Sequence, residues 1–125
     1  MPLGTGGDEI RGAIRSLHGL PYGWDGSDAL PVRPDAYLTC LEMFADNLRL
    51  EDVDADVRLA GDGTIWIELT QGERTLIVEV VAQDIVQFTR FLADDTTVEG
   101  VIRLNQEDGR CERASLFRWI EGGLP

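Results

Sequence analysis

The sequence predicts an α+β fold: two N-terminal helices, an antiparallel sheet of four to five strands running as a meander from about 57 to 104, and one C-terminal helix, with all helices on one face. Three observations carry this. Apolar residues recur at helical spacing through the first 48 positions, the period changes to two from Asp56 onward, and a helical stripe returns after Asp108. Mixed patterning of this kind, with helices at the ends and strands between, reads as α+β.

The first helix runs from Asp8 or Glu9 to about Leu17. Ile10, Ile14 and Leu17 share one face with Ala13, Asp8 is placed to cap the N-terminus, and Gly19 ends the helix. The segment "LPYGWDGSDALPVRP", 20 to 34, holds so many glycines and prolines that no regular element persists through it. A second helix follows from Pro34 to about Leu48. Pro34 suits its first turn, Asp35 complements the macrodipole there, and Tyr37, Leu41, Phe44 and Leu48 form an apolar stripe with Cys40 beside it.

In "TIWIELT" Ile65, Ile67 and Leu69 share a face opposite Trp66 and Glu68, and in "RTLIVEV" Leu76, Val78 and Val80 share one. A three-residue loop "GDG", Gly61 to Gly63, sets Leu59 opposite Ile65, Val57 opposite Ile67, and Arg58 opposite Trp66, where a cation–π contact follows. A two-residue loop at Gln71-Gly72 pairs Ile67 with Leu76 and Ile65 with Val78, leaving Glu79 beside Thr64 on the outer face. Residues 57 to 81 thus form a three-stranded meander. "DIVQFTRFL", 84 to 92, is assigned as strand for its β-branched and aromatic content, although Ile85, Phe88, Thr89 and Leu92 also fit a helical stripe. "GVIRL", 100 to 104, is a further strand after the acidic turn "ADDTT". A last helix spans about Asp108 to Glu121, turns Leu116, Phe117 and Ile120 inward, and stops at Gly122-Gly123.

At 125 residues the chain fits a single domain, 1-125, with 1-7 read as a flexible tail. No apolar run is long enough to span a bilayer, and the N-terminus lacks the pattern of a secretory signal, so a cytoplasmic location is expected. The two cysteines, Cys40 and Cys111, fit reduced thiols, and with His18 as the single histidine a Cys/His zinc site or a His-centred nucleophile is disfavoured.

Charge is the most informative feature. Asp and Glu total 23 against 11 basic residues, a net charge of −12, and all 11 are arginine. A GC-rich genome accounts for the missing lysine. Such a chain is repelled by nucleic acid and anionic lipid, which bind through neutralised phosphates, and it attracts and steers a basic protein.

No acidic or glycine-rich stretch completes a chemical signature. "EDVDAD", 51 to 56, opens like a calcium loop with Asp52, Asp54 and Asp56, but the turn position holds Val57 and the bidentate position Gly63. No metal site and no cofactor are expected. "GTGGDE", 4 to 9, has no strand feeding it and places carboxylates where a phosphate would sit, and no P-loop can exist without lysine. Glu68 and Glu79 fall on the solvent face of the sheet, where neither is desolvated enough for acid–base work.

"GWDG", 23 to 26, followed by Pro31, a helix and the Trp-bearing hairpin "AGDGTIWIELTQGERTLIVEV", resembles a set of short bacterial proteins in which a G-W-D-G segment precedes a helix and such a hairpin. The resemblance spans roughly residues 17 to 80 and implies a shared fold with no catalytic residue. Here Ser27 and Asp28 follow the motif, where an aromatic residue or Gly is more usual. Physically, Trp24 plugs the space between helices and sheet, Asp25 makes an Asx turn, and Gly26 serves a turn position.

The preferred expectation is a non-enzymatic acidic interaction protein that inhibits a basic protein, antitoxin-like or anti-CRISPR-like, with nucleic-acid mimicry as a possible mode. Its expected contacts are Glu51, Asp52, Asp54 and Asp56, with Asp94 and Asp95 as a second cluster, because loops carry these runs free of structural duties. Two alternatives stand beside it: a structural or assembly subunit that self-associates through an exposed strand, and a carboxylate-dependent hydrolase.

Overall fold

The computed structural model describes residues 7–44, 50 and 52–122. Helix α1 covers Gly7–Leu17 and α2 covers Pro34–Met43; five strands follow, β1 Asp54–Leu59, β2 Ile65–Gln71, β3 Arg74–Ala82, β4 Ile85–Phe91 and β5 Thr97–Arg103; α3, Glu107–Ile120, closes the order. The strands form one antiparallel meander in sequence order. The α+β architecture is the one the patterning predicts.

Alternation places Leu59, Ile65, Ile67, Leu69, Leu76, Val78, Val80, Val86 and Ile102 on the face that the helices cover, and all of them are buried. Ile10, Ile14 and Leu17 of α1 and Leu116, Phe117, Trp119 and Ile120 of α3 close over them in one core. Phe44 and Phe117 meet edge to face at 5.2 Å. α1 packs along β1, α2 over β3 and β2, and α3 over β5 and the central strands. Among the described residues, no helix lies on the opposite face of the sheet.

The register of β1 with β2 is the one derived from the "GDG" loop: Leu59 faces Ile65, Val57 faces Ile67 and Arg58 faces Trp66. The guanidinium of Arg58 lies over the Trp66 ring, 5.1 Å from its centre. Residues 84 to 92 resolve to strand, as β4.

Three expectations need correction. The β2–β3 loop is Gly72-Glu73, not Gln71-Gly72, so Ile67 pairs with Val78, Ile65 with Val80, and Glu79 sits beside Trp66 rather than Thr64. Gly72 has φ +60, and a positive φ at the first central residue of a two-residue hairpin loop is what glycine supplies at no steric cost. Strand β1 begins at Asp54, three residues ahead of the expected start, which brings Asp54 and Asp56 into the sheet. In α2 the buried positions are Ala36, Thr39, Cys40 and Met43, with Tyr37 and Leu41 only partly covered. Small Ala36 and Cys40 let the helix approach the sheet, and Thr39 Oγ1 accepts from the backbone N–H of Asp84 in the β3–β4 turn (2.9 Å). The expected continuation of α2 to Leu48 falls outside the described residues.

The segment between α1 and α2 is tied to the β1–β2 turn. Leu30 N–H donates to Gly61 O (2.8 Å) and Arg33 N–H to Gly63 O (2.9 Å). Gly63, at φ +88, has the Pro31 carbonyl where a Cβ would stand (2.7 Å), so this turn position admits glycine for conformation and for space.

Candidate anionic interface

Strand alternation builds the helix-free face in rows, three of which cross all five strands. One row across the sheet reads Asp56, Glu68, Ile77, Thr89 and Glu99; the next reads Arg58, Trp66, Glu79, Gln87 and Val101. The third, at one end of the sheet, reads Asp54, Thr70, Thr75, Phe91 and Thr97. Arg58 pairs with Asp56 (2.5 Å), and Arg103 stands at the far end of β5. Apolar groups lie among the acids: Phe91 is 38% exposed and Val101 50%. Between Glu79 and Glu99 the sheet surface dips into an open groove of about 410 Å³, with Ile77, Gln87, Thr89 and Val101 along it.

The meander also assembles one end of the sheet. Because β1 starts where β2 ends and β4 ends where β5 starts, the approach to β1 with Asp52, the β2–β3 turn with Glu73, and the β4–β5 turn with Asp94 and Asp95 lie side by side. At strand spacing, β1 and β5 stand about 19 Å apart, and the acidic groups are spread along that width. Asp52 and Asp54, and Asp94 and Asp95, are all exposed. The two clusters picked from sequence therefore share an end of the molecule, and Glu51 lies outside the described residues. Glu73 shares that end, Glu68 and Glu99 lie one row in beside Asp56, and Glu79 stands a further row along the face, an arrangement that depends on the full strand order.

One premise of the sequence reading changes. Asp94 is not free of structural duty: its Oδ1 accepts from the Thr96 hydroxyl (2.5 Å) and backbone N–H (3.2 Å), closing the β4–β5 turn, while Asp95 holds a left-handed φ of +68. The Thr96 hydroxyl and amide hold the Asp94 carboxyl below the ordinary carboxylate range. Its second oxygen remains available. Asp56 is engaged by Arg58 in the same partial sense.

The G-W-D-G segment is a bonded loop at the other side of the fold. Trp24 is half-buried against the core, and its indole N–H donates to Leu30 O (2.9 Å). Asp25 Oδ1 accepts from the backbone N–H groups of Ser27 (2.9 Å) and Ala29 (3.3 Å), and Gly26 takes φ +84. Near it, His18, Pro31, Val32, Pro34, Tyr37 and Leu38 line a second, mainly apolar groove of about 360 Å³.

Among the described residues no group of three or more His, Cys, Asp or Glu side chains is placed to hold a metal ion. Cys40 is buried under α2, and burial pushes its thiol well above the ordinary range, so it stays protonated; Cys111 is exposed on α3, and both are free thiols. No helix among the described residues is long and apolar enough to cross a membrane. Comparison with protein-family models, with curated proteins and with solved structures finds no match for this chain.

Proposed function

We propose that this chain is a non-enzymatic acidic interaction protein that occupies, and thereby inhibits, a basic surface on a partner protein, in the manner of an antitoxin or a phage-borne anti-CRISPR inhibitor. One observation carries the reading: carboxylates from four strands, two inter-strand turns and the approach to β1 are gathered on the helix-free face and one end of a single sheet, around exposed Phe91 and Val101. A surface of that composition combines long-range attraction for a basic partner with apolar area to bury on contact. Carboxylates set along an edge some 19 Å wide also suit a groove that normally holds nucleic-acid phosphates, which makes a nucleic-acid-binding protein the partner class this surface fits best.

The test is affinity capture on the wild-type protein at low salt, followed by assay of the captured protein's nucleic-acid binding with and without this chain. Capture should be lost as salt rises from about 0.05 to 0.5 M, and the neutral variant D52N/D54N/D95N should inhibit less. A complex indifferent to salt, or a partner that is acidic, overturns the reading.

A second reading has its own observation. β5 is an edge strand with Val98 37% exposed, which is what self-association through an exposed strand requires. Light scattering separates the two, since an assembly subunit forms oligomers alone at low concentration.

A further inference from the structure

Each edge strand has a helix against its core side, α1 on β1 and α3 on β5, with Gly109 resting against the Arg103 carbonyl at the end of β5. Leu104 N–H donates to Asp84 O (2.8 Å), which fixes the direction of the backbone groups. Since these alternate along a strand, the amides and carbonyls of Ile102, Gly100 and Val98 point to β4, and those of Thr97, Glu99 and Val101 point away from the sheet. Among the described residues no backbone group pairs with them.

Edges of this length are ordinarily blunted by charged side chains, proline, a bulge or a covering loop. β5, "TVEGVIR", carries Glu99 and Arg103 but no proline, and its pairing with β4 runs without a register shift from Thr97 to Arg103. Val98 and Val101 are exposed on its two sides, and Asp94, Asp95 and Glu99 surround its first half.

We propose that an extended, basic segment of the partner protein adds to β5 as a sixth strand. Its backbone pairs with Glu99 and Val101, alternate apolar side chains cover Val98 on the helix side, and the arginine or lysine side chains between them meet Glu99 on the opposite side. This rests on the reading of the chain as a binder of basic protein surfaces. Charge complementarity selects the occupant: a second copy would bring a further −12 to an edge that is already anionic, while a basic strand neutralises it.

Two fluorescein-labelled peptides of about eight residues with alternating arginine and valine test this by anisotropy at low salt. One has an ordinary backbone; the other is N-methylated at every second residue, on the edge that would pair, and keeps its charge. Wild-type protein should bind the ordinary peptide at least about tenfold more tightly than the methylated one. Val101→Pro should weaken the ordinary peptide by a similar factor, because it removes an outward N–H that the fold itself does not use; the methylated peptide on wild-type protein gives the same information without any change to the fold. Equal, salt-sensitive binding of both peptides overturns strand addition and leaves the charge-based reading standing. Binding of neither at low salt overturns both, and a stable dimer that Val101→Pro dissociates overturns the proposal in favour of self-pairing.

Discussion

Gly109, in the first turn of α3, lies against the backbone carbonyl of Arg103 at the end of β5 so closely that the position has no room for a Cβ. The obstacle is main chain and cannot rotate away, so Gly109→Ala must lift the helix from the sheet, at a cost of roughly 1–3 kcal/mol or more. Gly12, on the exposed side of α1, has open space where its Cβ would be. Gly12→Ala should stabilise by about 0.5–1 kcal/mol, since it removes unfolded-state freedom without a clash. Urea midpoints of the two variants should therefore move in opposite directions.

The three tryptophans should rank by the contacts each makes on folding, the fully buried one first. Trp119 is 2% exposed and has Arg74 and Arg90 guanidinium groups 5.5 and 5.3 Å from its ring centre, with Arg74 Nη1 also donating to its carbonyl (2.5 Å). Trp119→Ala should cost about 3–5 kcal/mol. Trp24 is half-buried with one indole hydrogen bond, and its alanine variant should cost about 1–3 kcal/mol. Trp66, on the helix-free face, should cost less than about 1 kcal/mol. Equilibrium denaturation followed by circular dichroism gives the order, and a Trp24 variant with an unmoved midpoint would remove its role as a plug.

The outcome for each hairpin shows what a single chain discloses. For β1–β2, one loop length keeps both the apolar face and the Arg58–Trp66 contact, so the register follows from alternation alone. For β2–β3, slipping by two residues leaves every apolar side chain on the same face, and alternation cannot separate Ile67 opposite Leu76 from Ile67 opposite Val78. Turn chemistry separates them, through the place Gly72 takes in its loop. In α2 the large apolar residues suggested one stripe and the small ones seat against the sheet, because close approach to β3 favours Ala36 and Cys40 over Tyr37. Individual acids of the anionic surface were legible as runs at 51 to 56 and 94 to 95. Their meeting with Glu73, Glu79 and Glu99 was not, because it depends on the order of all five strands.

Two turns share an Asp-x-Thr pattern and a pH response. Asp62 Oδ1 accepts from the Thr64 hydroxyl (2.6 Å) and N–H (3.1 Å), as Asp94 does from Thr96, and in each case the threonine hydroxyl and amide hold the carboxyl below its ordinary value. A carboxyl whose pKa is lower folded than unfolded contributes stability above the unfolded value, near 4, and loses it as pH falls through the folded value. The urea midpoint of wild-type protein should therefore drop below about pH 4. D62N/D94N, whose amide oxygens accept the same bonds without titrating, should be less stable at pH 7 and should converge on wild type toward pH 2. A gap that stays constant across that range would show that these turns do not contribute to the acid limb.

Glu68 offers a way to set stability against binding. It stands directly across from Asp56 on the helix-free face, and like charges opposed across a sheet are destabilising by about 0.2–1 kcal/mol. Arg58 bonds Asp56 and is attracted more weakly to Glu68, which stays the less compensated of the two carboxylates, so the fold alone would favour a neutral or basic residue there. Glu68→Arg should accordingly raise the urea midpoint, placing a cation beside Asp56, while reversing one charge of the anionic surface. If that surface exists to meet a basic partner, the same variant should weaken the complex and steepen its loss with salt less than wild type does, because fewer charges are then steering the encounter. A variant that is more stable and binds equally well would place the contact elsewhere on the molecule; a variant that is less stable would mean that Glu68 is held by an interaction stronger than its repulsion from Asp56.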